Sequence, residues 1–211
     1  MSNSVTNQTL IDGQRATVIK FEGVLDTSNI AAAGTLGAGA DGGTTIGSTA
    51  ITFTASTGLN PNQGQYITGT GIPSTTYLVS VNYAAGTGVL SQAATATGTT
   101  VTFSLVSGAI VVADPAILQT ILNNNRTATG FRVNKIIHNI EDGLTVNLFW
   151  EATANQRIEA LAGRGQPDYN KFGGLVPNPG AGATGRIVAT STGWTTGAII
   201  SFSLVLELIK M

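Results

Sequence analysis

Apolar and polar residues alternate with a period of two along most of this chain, in short runs separated by glycine-rich turns. The run TAITFTAS, for example, sets Ile51, Phe53 and Ala55 against threonine and serine. Successive side chains of a β-strand point to opposite faces, so the pattern predicts half-buried strands. Runs that recur about every ten residues are typical of small sandwiches or barrels. We therefore expect an all-β fold, an antiparallel β-sandwich or barrel.

Charge is distributed very unevenly and suggests two domains. The chain has ten basic and eleven acidic residues, yet Asp41 is the only charged residue between Thr35 and Val106. A composition shift of this kind marks a separate module. We predict an uncharged, Thr/Gly-rich β domain at residues 35–106. It would be inserted into a host β domain formed by residues 1–34 and 107–211, because loop tips tolerate insertions.

Three local patterns predict further elements. Asp114 and Pro115 are typical of a helix start, and we expect a short helix over residues 114–124. The strand-like runs 131–140 and 144–152 flank Glu141–Asp142–Gly143, which predicts a β-hairpin. The runs 185–193 and 197–211 predict a second strand pair across a glycine-rich turn.

Composition argues against several classes of protein. The net charge is −1 and basic residues form no cluster, so a phosphate-binding nucleic-acid surface is not expected. Apolar runs fall short of the roughly 18 residues that a membrane-spanning helix needs, and we expect no membrane association. The first fifteen residues do not resemble a secretory signal. Cysteine is absent, which excludes disulfides and thiolate metal sites.

The sequence contains no constellation that catalysis requires. His138 is the single histidine, and its position in a strand-like run favours a structural or interface role. Glu141 and Asp142 are read as turn residues, although they could bind calcium. Asp168 with Glu159 or Glu151 could form a glycosidase pair, but no aromatic cleft accompanies them. The glycine-rich segments 37–43 and 163–168 lack a phosphate loop's context. We therefore predict a protein that is not an enzyme and has no catalytic, metal-binding or cofactor-binding residue.

A role in contacts with other proteins fits the composition better. Charged residues make up 10 % of the chain, whereas ordinary domains contain roughly 25 %. Residues 173–185 form a long Gly/Pro-rich loop that suits packing onto a neighbour. Aromatic residues and rigid loops anchor interfaces. The candidate interface residues are Trp150, Phe172, Pro177, Pro179 and Trp194.

Parts of the chain resemble small virion structural proteins of marine tailed phages, especially cyanophages. The resemblance rests on TNQTLIDGQRATVIKFEGVLDTSN near the start, on RVNKIIHNIEDGLTVNLFWEAT, on YNKFGGLVPNPGAGATGRIVATSTGW and on the final strand ISFSLVLELIKM. It covers roughly residues 4–30 and 107–211. Shorter members of this group lack residues 35–106. The resemblance implies a virion location and carries over no active site.

The function that we expect is that of a capsid decoration, or cement, protein that stabilises the head shell. Its partners would be the major capsid protein and copies of itself, as a trimer or dimer. It would assemble in the host cytoplasm and sit on the capsid surface. One alternative is a tail, neck or fibre component. Another is a carbohydrate-binding β module, in which Tyr66, Tyr77 and Tyr83 form the binding surface.

Overall fold

The computed structural model describes residues 3–26, 30–36, 41–55, 61–118, 127–193 and 199–211. Within these residues there are sixteen β-strands. In chain order they are β1 (Ser4–Asp12), β2 (Ala16–Leu25), β3 (Gly34–Leu36), β4 (Gly42–Thr44), β5 (Ala50–Thr52), β6 (Gln65–Thr68), β7 (Leu78–Asn82), β8 (Thr87–Leu90), β9 (Gly98–Val101), β10 (Phe103–Ala113), β11 (Phe131–Ile140), β12 (Thr145–Trp150), β13 (Gln156–Leu161), β14 (Arg164–Gly165), β15 (Ile187–Thr192) and β16 (Ile200–Lys210).

The predicted all-β class is confirmed, because the only helices among the described residues are two short 3-10 turns. They span Pro115–Ile117 and Asn170–Phe172. Asp114 caps the first turn by accepting a hydrogen bond from the backbone N–H of Ala116 at 2.8 Å. Only the beginning of the predicted helix can be compared, since residues 119–126 lie outside the described part of the chain.

The chain divides into two compact units. Unit 1 comprises Met1–Ser4 and Asn29–Ile110, and unit 2 comprises Val5–Ser28 and Val111–Met211. The sequence predicts different boundaries, with a module at residues 35–106 between host segments 1–34 and 107–211. Whether that module is an insertion into a host domain stays a prediction.

Unit 1 contains a five-stranded sheet in the order β7-β8-β5-β4-β9. The first half of β10 pairs antiparallel with β3 and with β6. The alternating apolar residues of these strands form one buried cluster, which accounts for the period-two pattern of the uncharged segment. Its members are Leu36, Ile51, Phe53, Ile67, Leu78, Leu90, Val101, Phe103 and Leu105.

Unit 2 contains two antiparallel sheets that we name after their central strands. The β16 sheet has the order β1-β2-β16-β11-β14, and the β12 sheet has the order β13-β12-β15-β10. In β16 every second residue from Ile200 to Lys210 is buried, while the residues between them are partly exposed. One face of this sheet therefore carries the core and the other faces outward.

The inner faces of the two sheets of unit 2 meet in a sandwich. Phe21 and Phe202 pack on the inner face of the β16 sheet, with ring centroids 5.1 Å apart. Trp150 of β12 donates a hydrogen bond from Nε1 to the backbone oxygen of Phe131 in β11 at 3.3 Å, which joins one sheet to the other. Each sheet has two different end strands, so among the described residues none closes into a barrel.

Both predicted strand pairs are wrong. β11 and β12 follow one another across the turn at Gly143, but β11 pairs with β16 and β12 pairs with β13 and β15. β15 and β16 are likewise separated into different sheets. A period-two pattern fixes which face of a strand is buried and leaves its neighbour open. The turn at Gly143 carries the chain from one layer of the sandwich to the other, and β15 and β16 likewise lie in different layers.

Candidate interaction surface

The segment between β13 and β15, residues 163–186, runs along the surface of unit 2 and is called the arm here. It contains the short strand β14, the second 3-10 turn and most of the loop that the sequence singled out. Three sets of contacts hold it: backbone hydrogen bonds to β11, a hydrogen bond from Tyr169 to β13, and hydrogen bonds to the chain around Glu151 and Gln156.

The first half of the arm covers the edge of β11. The backbone N–H groups of Ile140 and Ile136 donate to the oxygens of Gly163 and Pro167, at 2.8 and 3.0 Å. Further along, Val133 and Leu175 exchange a pair of backbone hydrogen bonds at 2.8 and 3.0 Å. An uncovered strand edge is a template for pairing with other chains. The arm satisfies this edge from within the same chain.

A tight turn at the 3-10 helix Asn170–Phe172 interrupts the arm, which pairs antiparallel with β11 both before the turn, at Asp168, and after it, at Leu175. The Asp168 carboxylate accepts a hydrogen bond from the backbone N–H of Asn170 at 2.9 Å. This bond holds the pKa of Asp168 below its usual value. Gly173 and Gly174 follow with φ of 76° and 89°, a region that glycine enters at little cost. The turn is therefore specified by local sequence.

Tyr169 fixes the turn to the β12 sheet. Its hydroxyl donates to Oε2 of Glu159 in β13 at 2.9 Å. The pKa of Tyr169 is raised to about 12. Burial is the largest cause, and the hydrogen bond to Glu159 and the negative charge of Glu159 add to it. The bond joins the arm to a strand ten residues earlier in the chain.

The second half of the arm is bonded to the end of β12 and to the start of β13. The N–H of Asn178 donates to Oε1 of Gln156 at 2.7 Å. Thr184 donates from its N–H to the backbone oxygen of Glu151 at 3.1 Å, and Glu151 donates in turn to the oxygen of Arg186 at 3.0 Å. Both halves of the arm thus have backbone partners on the sandwich.

Two large apolar side chains of this well-fixed arm face solvent. Phe172 is 84 % exposed and Val176 is 58 % exposed. We call this pair the apolar tip. Pro177 and Pro179 follow in the sequence, are half-buried and limit the conformations of this part of the chain. Three of the five candidate interface residues therefore lie together on the arm.

The other two candidates are placed differently. Trp150 is 5 % exposed, and its indole is used within the sandwich, so it is a core residue of unit 2. Its neighbours Val146 and Leu148 are also buried. An aromatic residue in a strand with such neighbours serves the core first. Trp194 lies outside the described residues.

The acidic residues noted in the sequence line a polar cleft of about 430 Å³ at one end of the β16 sheet. Glu141 accepts a hydrogen bond from the backbone N–H of Ser201 at 2.7 Å. Arg164 donates from Nε to Asn139 at 2.9 Å. Both groups hold the ends of neighbouring strands, and Asp142 belongs to the turn that follows β11. These contacts give the cleft a structural explanation.

The other residues considered for catalysis or metal binding are engaged in structural contacts. His138 lies against the backbone of Gly165, where an added Cβ would come within 2.5 Å of its Cε1 atom. Glu159 is bound to Tyr169, while Asp168 caps the turn of the arm. Among the described residues no group of three His, Asp or Glu side chains is arranged to hold a metal ion.

The three tyrosines proposed for carbohydrate binding do not form an open platform. Tyr77 is 2 % exposed and meets Tyr66 edge-on, with ring centroids 6.2 Å apart. Tyr83 packs at 5.9 Å from Phe53, which belongs to the core of unit 1. Sugar-binding surfaces present exposed aromatic faces, whereas these rings are engaged with one another and with the core.

Comparison of the chain with protein-family models, with curated proteins and with solved structures gives no match in any of the three. In the described part of the chain, no helix is both long enough and apolar enough to cross a lipid bilayer.

Proposed function

We propose that this chain is a structural protein of a tailed-phage virion and that it decorates the head shell as a cement protein. The observation that carries the proposal is the arm, whose backbone is fixed on the sandwich while Phe172 and Val176 face solvent. The resemblance to virion proteins of marine phages supports the same role.

A fixed arm with an apolar tip is well suited to binding a shell. Ordering a loop on association lowers affinity, and a loop that is already held by backbone hydrogen bonds avoids most of that cost. A single aromatic side chain that enters a pocket commonly contributes much of the binding energy. Phe172 is the residue of the arm that meets this description, and the exposed Val176 follows four residues later.

The composition favours a protein that is packed against other proteins. Residues 35–106 carry one charge, Asp41, and are rich in threonine and glycine. Such a surface can meet another protein through apolar contacts and hydrogen bonds without burying unpaired charges, which would be costly. A cement protein acts in this way, because it adds contact area across the joints between capsomers.

The partners in this proposal are the major capsid protein and further copies of the chain. Many copies would cover each shell, and a dimer or trimer would be symmetric, as most homo-oligomers are. A tail, neck or fibre component could use the same fold, so the number of copies and their position decide between the two roles.

Cryo-electron microscopy of purified particles that contain this chain tests the proposal. We expect density for it repeated over the icosahedral shell, together with a copy number by quantitative mass spectrometry comparable to that of the capsid protein. Density confined to the tail or neck, with few copies, would overturn the cement role and select the alternative.

A binding experiment tests the part played by the apolar tip. Shells assembled without the chain are incubated with purified wild-type protein or with the Phe172→Ala/Val176→Ala variant. We expect the variant to bind at least about tenfold more weakly, the equivalent of 1.4 kcal/mol. The matched control, Ile46→Ala/Val89→Ala, removes two exposed apolar side chains from unit 1. Weaker binding of the control alone would place the contact away from the arm.

A further inference from the structure

Two cationic side chains that lie far apart in the sequence meet next to the apolar tip. Lys171 directly precedes Phe172 in the 3-10 turn and is exposed. Arg132 of β11 lies against the backbone that follows Phe172. A Cβ added to Gly174 would come within 2.7 Å of Cγ of Arg132, and one added to Gly173 within 3.8 Å of its Nη1. We call Arg132 and Lys171 the basic collar.

The charges of the collar are not neutralised by this chain. Among the described residues, neither Arg132 nor Lys171 forms a salt bridge. The pKa of Asp168 is lowered chiefly by a backbone hydrogen bond within the turn, and the charge of Lys171 is the smallest cause. Lys135, the next cation along β11, is different, because Asp168 and Glu207 lie opposite it. The collar therefore has positive charge to offer a partner.

Arg132 is held in place before any partner arrives. Its side chain is partly buried and packs against the glycines of the turn. Its Nε atom is buried and makes no hydrogen bond within the described residues. Such a donor is uncommon in folded proteins and calls for an explanation. A carboxylate from another molecule would match the fork of the guanidinium group, and an ordered side chain loses little freedom on binding.

We propose that the apolar tip and the basic collar together bind an apolar pocket of the shell protein that is rimmed by Asp or Glu carboxylates. The acidic rim is an addition to the proposed function, on which it rests. Aromatic residues and arginine are the side chains that most often dominate protein interfaces. Complementary charge on the rim would speed association and orient the arm.

A protein surface is the acidic partner that suits the tip and the collar at once. Phe172 and Val176 call for an apolar pocket, which the phosphates of a nucleic acid do not provide. Nucleic-acid binding also needs a patch or stripe of clustered cations. Lipid-binding clusters contain about four to eight basic residues, whereas the collar consists of Arg132 and Lys171 alone.

Binding to shells assembled without this chain tests the collar. Purified wild-type protein is compared with Arg132→Glu/Lys171→Glu, which reverses both charges and leaves the apolar tip in place. We expect this variant to bind at least about tenfold more weakly, equivalent to 1.4 kcal/mol. The matched control, Arg15→Glu/Lys20→Glu, makes the same change in charge at β2, which β16 separates from β11. It should bind like the wild type.

Ionic strength supplies a readout that a loss of structure would not reproduce. Raising the salt concentration from about 0.1 M to about 1 M shortens the Debye length from about 10 Å to about 3 Å. Binding of the wild type should weaken over this range, whereas Arg132→Gln/Lys171→Gln should bind more weakly at the outset and lose less. Equal salt dependence would overturn the acidic rim. Circular dichroism of each variant checks that the fold is retained.

A photo-cross-linker locates the pocket. In assembled particles, p-benzoylphenylalanine in place of Phe172 should cross-link to a segment of the shell protein that contains Asp or Glu. Replacing that acidic residue with lysine should weaken binding of the wild type and restore binding of Arg132→Glu/Lys171→Glu. A cross-linked segment without acidic residues would count against the proposal.

Failure of the cement function and failure of the collar give different results. Wild-type protein that does not bind shells would overturn the cement function and the acidic pocket with it. Shell binding that is equally strong for the wild type and Arg132→Glu/Lys171→Glu, or equally weakened in the control, would overturn the collar alone. Binding to DNA or to phosphatidylserine vesicles, without binding to shells, would assign the collar to a different class of anion.

Discussion

Arg186 donates from Nε to Oδ2 of Asp114 at 2.7 Å, although the two residues lie 72 positions apart in the chain. Their side chains are only 13 % and 4 % exposed. The pair joins the end of the arm to the 3-10 turn that follows β10. The second carboxylate nearby, that of Glu151, lies 3.7 Å from Nη1 of Arg186 and accepts a hydrogen bond from the Thr184 hydroxyl at 2.6 Å.

Replacing Arg186 with methionine should lower the free energy of unfolding by about 3 kcal/mol, because it leaves the buried Asp114 carboxylate without its guanidinium partner. Urea denaturation followed by circular dichroism measures the loss. Lys20→Met is the matched control, since the Lys20–Glu22 pair is 34 % and 43 % exposed. Exposed pairs contribute at most about 1 kcal/mol. Equal losses in the two variants would contradict this account.

Gly185→Ala should be strongly destabilising. Gly185 has a φ of 78°, and an added Cβ would come within 2.1 Å of the backbone oxygen of Thr129. Left-handed strain and overpacking together predict a loss of about 3 kcal/mol. Gly180→Ala is the control, because its φ is 74° and its Cβ would meet no atom within 4 Å. It should cost only about 1 kcal/mol. Thermal melts of both variants decide the point.

Tyr169 should make the protein lose stability at high pH. Its pKa is about 12 in the folded protein and about 10 in an unfolded chain. The folded state therefore holds this proton more tightly, and the contribution is complete below pH 10 and is lost as the pH rises towards 12. Tyr169→Phe should show a shallower decline in unfolding free energy over that range. Identical declines in wild type and variant would refute the prediction, and Tyr83→Phe controls for the loss of one phenol.

Truncation to alanine should destabilise the protein strongly at Trp150 and hardly at all at Phe172. Trp150→Ala opens a cavity in the sandwich and should cost about 4 kcal/mol. Phe172→Ala changes a side chain that is 84 % exposed and should alter stability by no more than about 0.5 kcal/mol. Urea denaturation of both variants checks this contrast. A large loss for Phe172→Ala would mean that the apolar tip supports the fold.

Strands such as β2 and β16 were predictable from the sequence because their buried face recurs with a period of two. β16 follows this rule through eleven residues. The pairing of the strands was not predictable in the same way. The turn at Gly143 looks like a hairpin, yet β11 and β12 enter different layers, because packing between the inner faces outweighs pairing across a short turn.

For the arm, too, the sequence predicts local structure but not the contacts that attach it to the sandwich. The sequence indicated a long Gly/Pro-rich loop, and its local turn at Asp168 follows from residues within it. Its attachment depends on partners such as Val133 and Gln156, which no local pattern identifies. The sequence places Trp150 among the candidate interface residues because aromatic residues occur both in cores and in contacts. The burial of Trp150 between the two sheets of unit 2 shows that it serves the core.

The cover that the arm provides over β11 also determines how large an assembly through sheet edges can become. A sheet with two open edges can add strands without end and form fibres. A sheet with one sealed edge can join a single copy, after which the sealed edges face outward on both sides and growth stops. A chain whose β16 sheet has one sealed edge is in this way protected from open-ended polymerisation through that sheet.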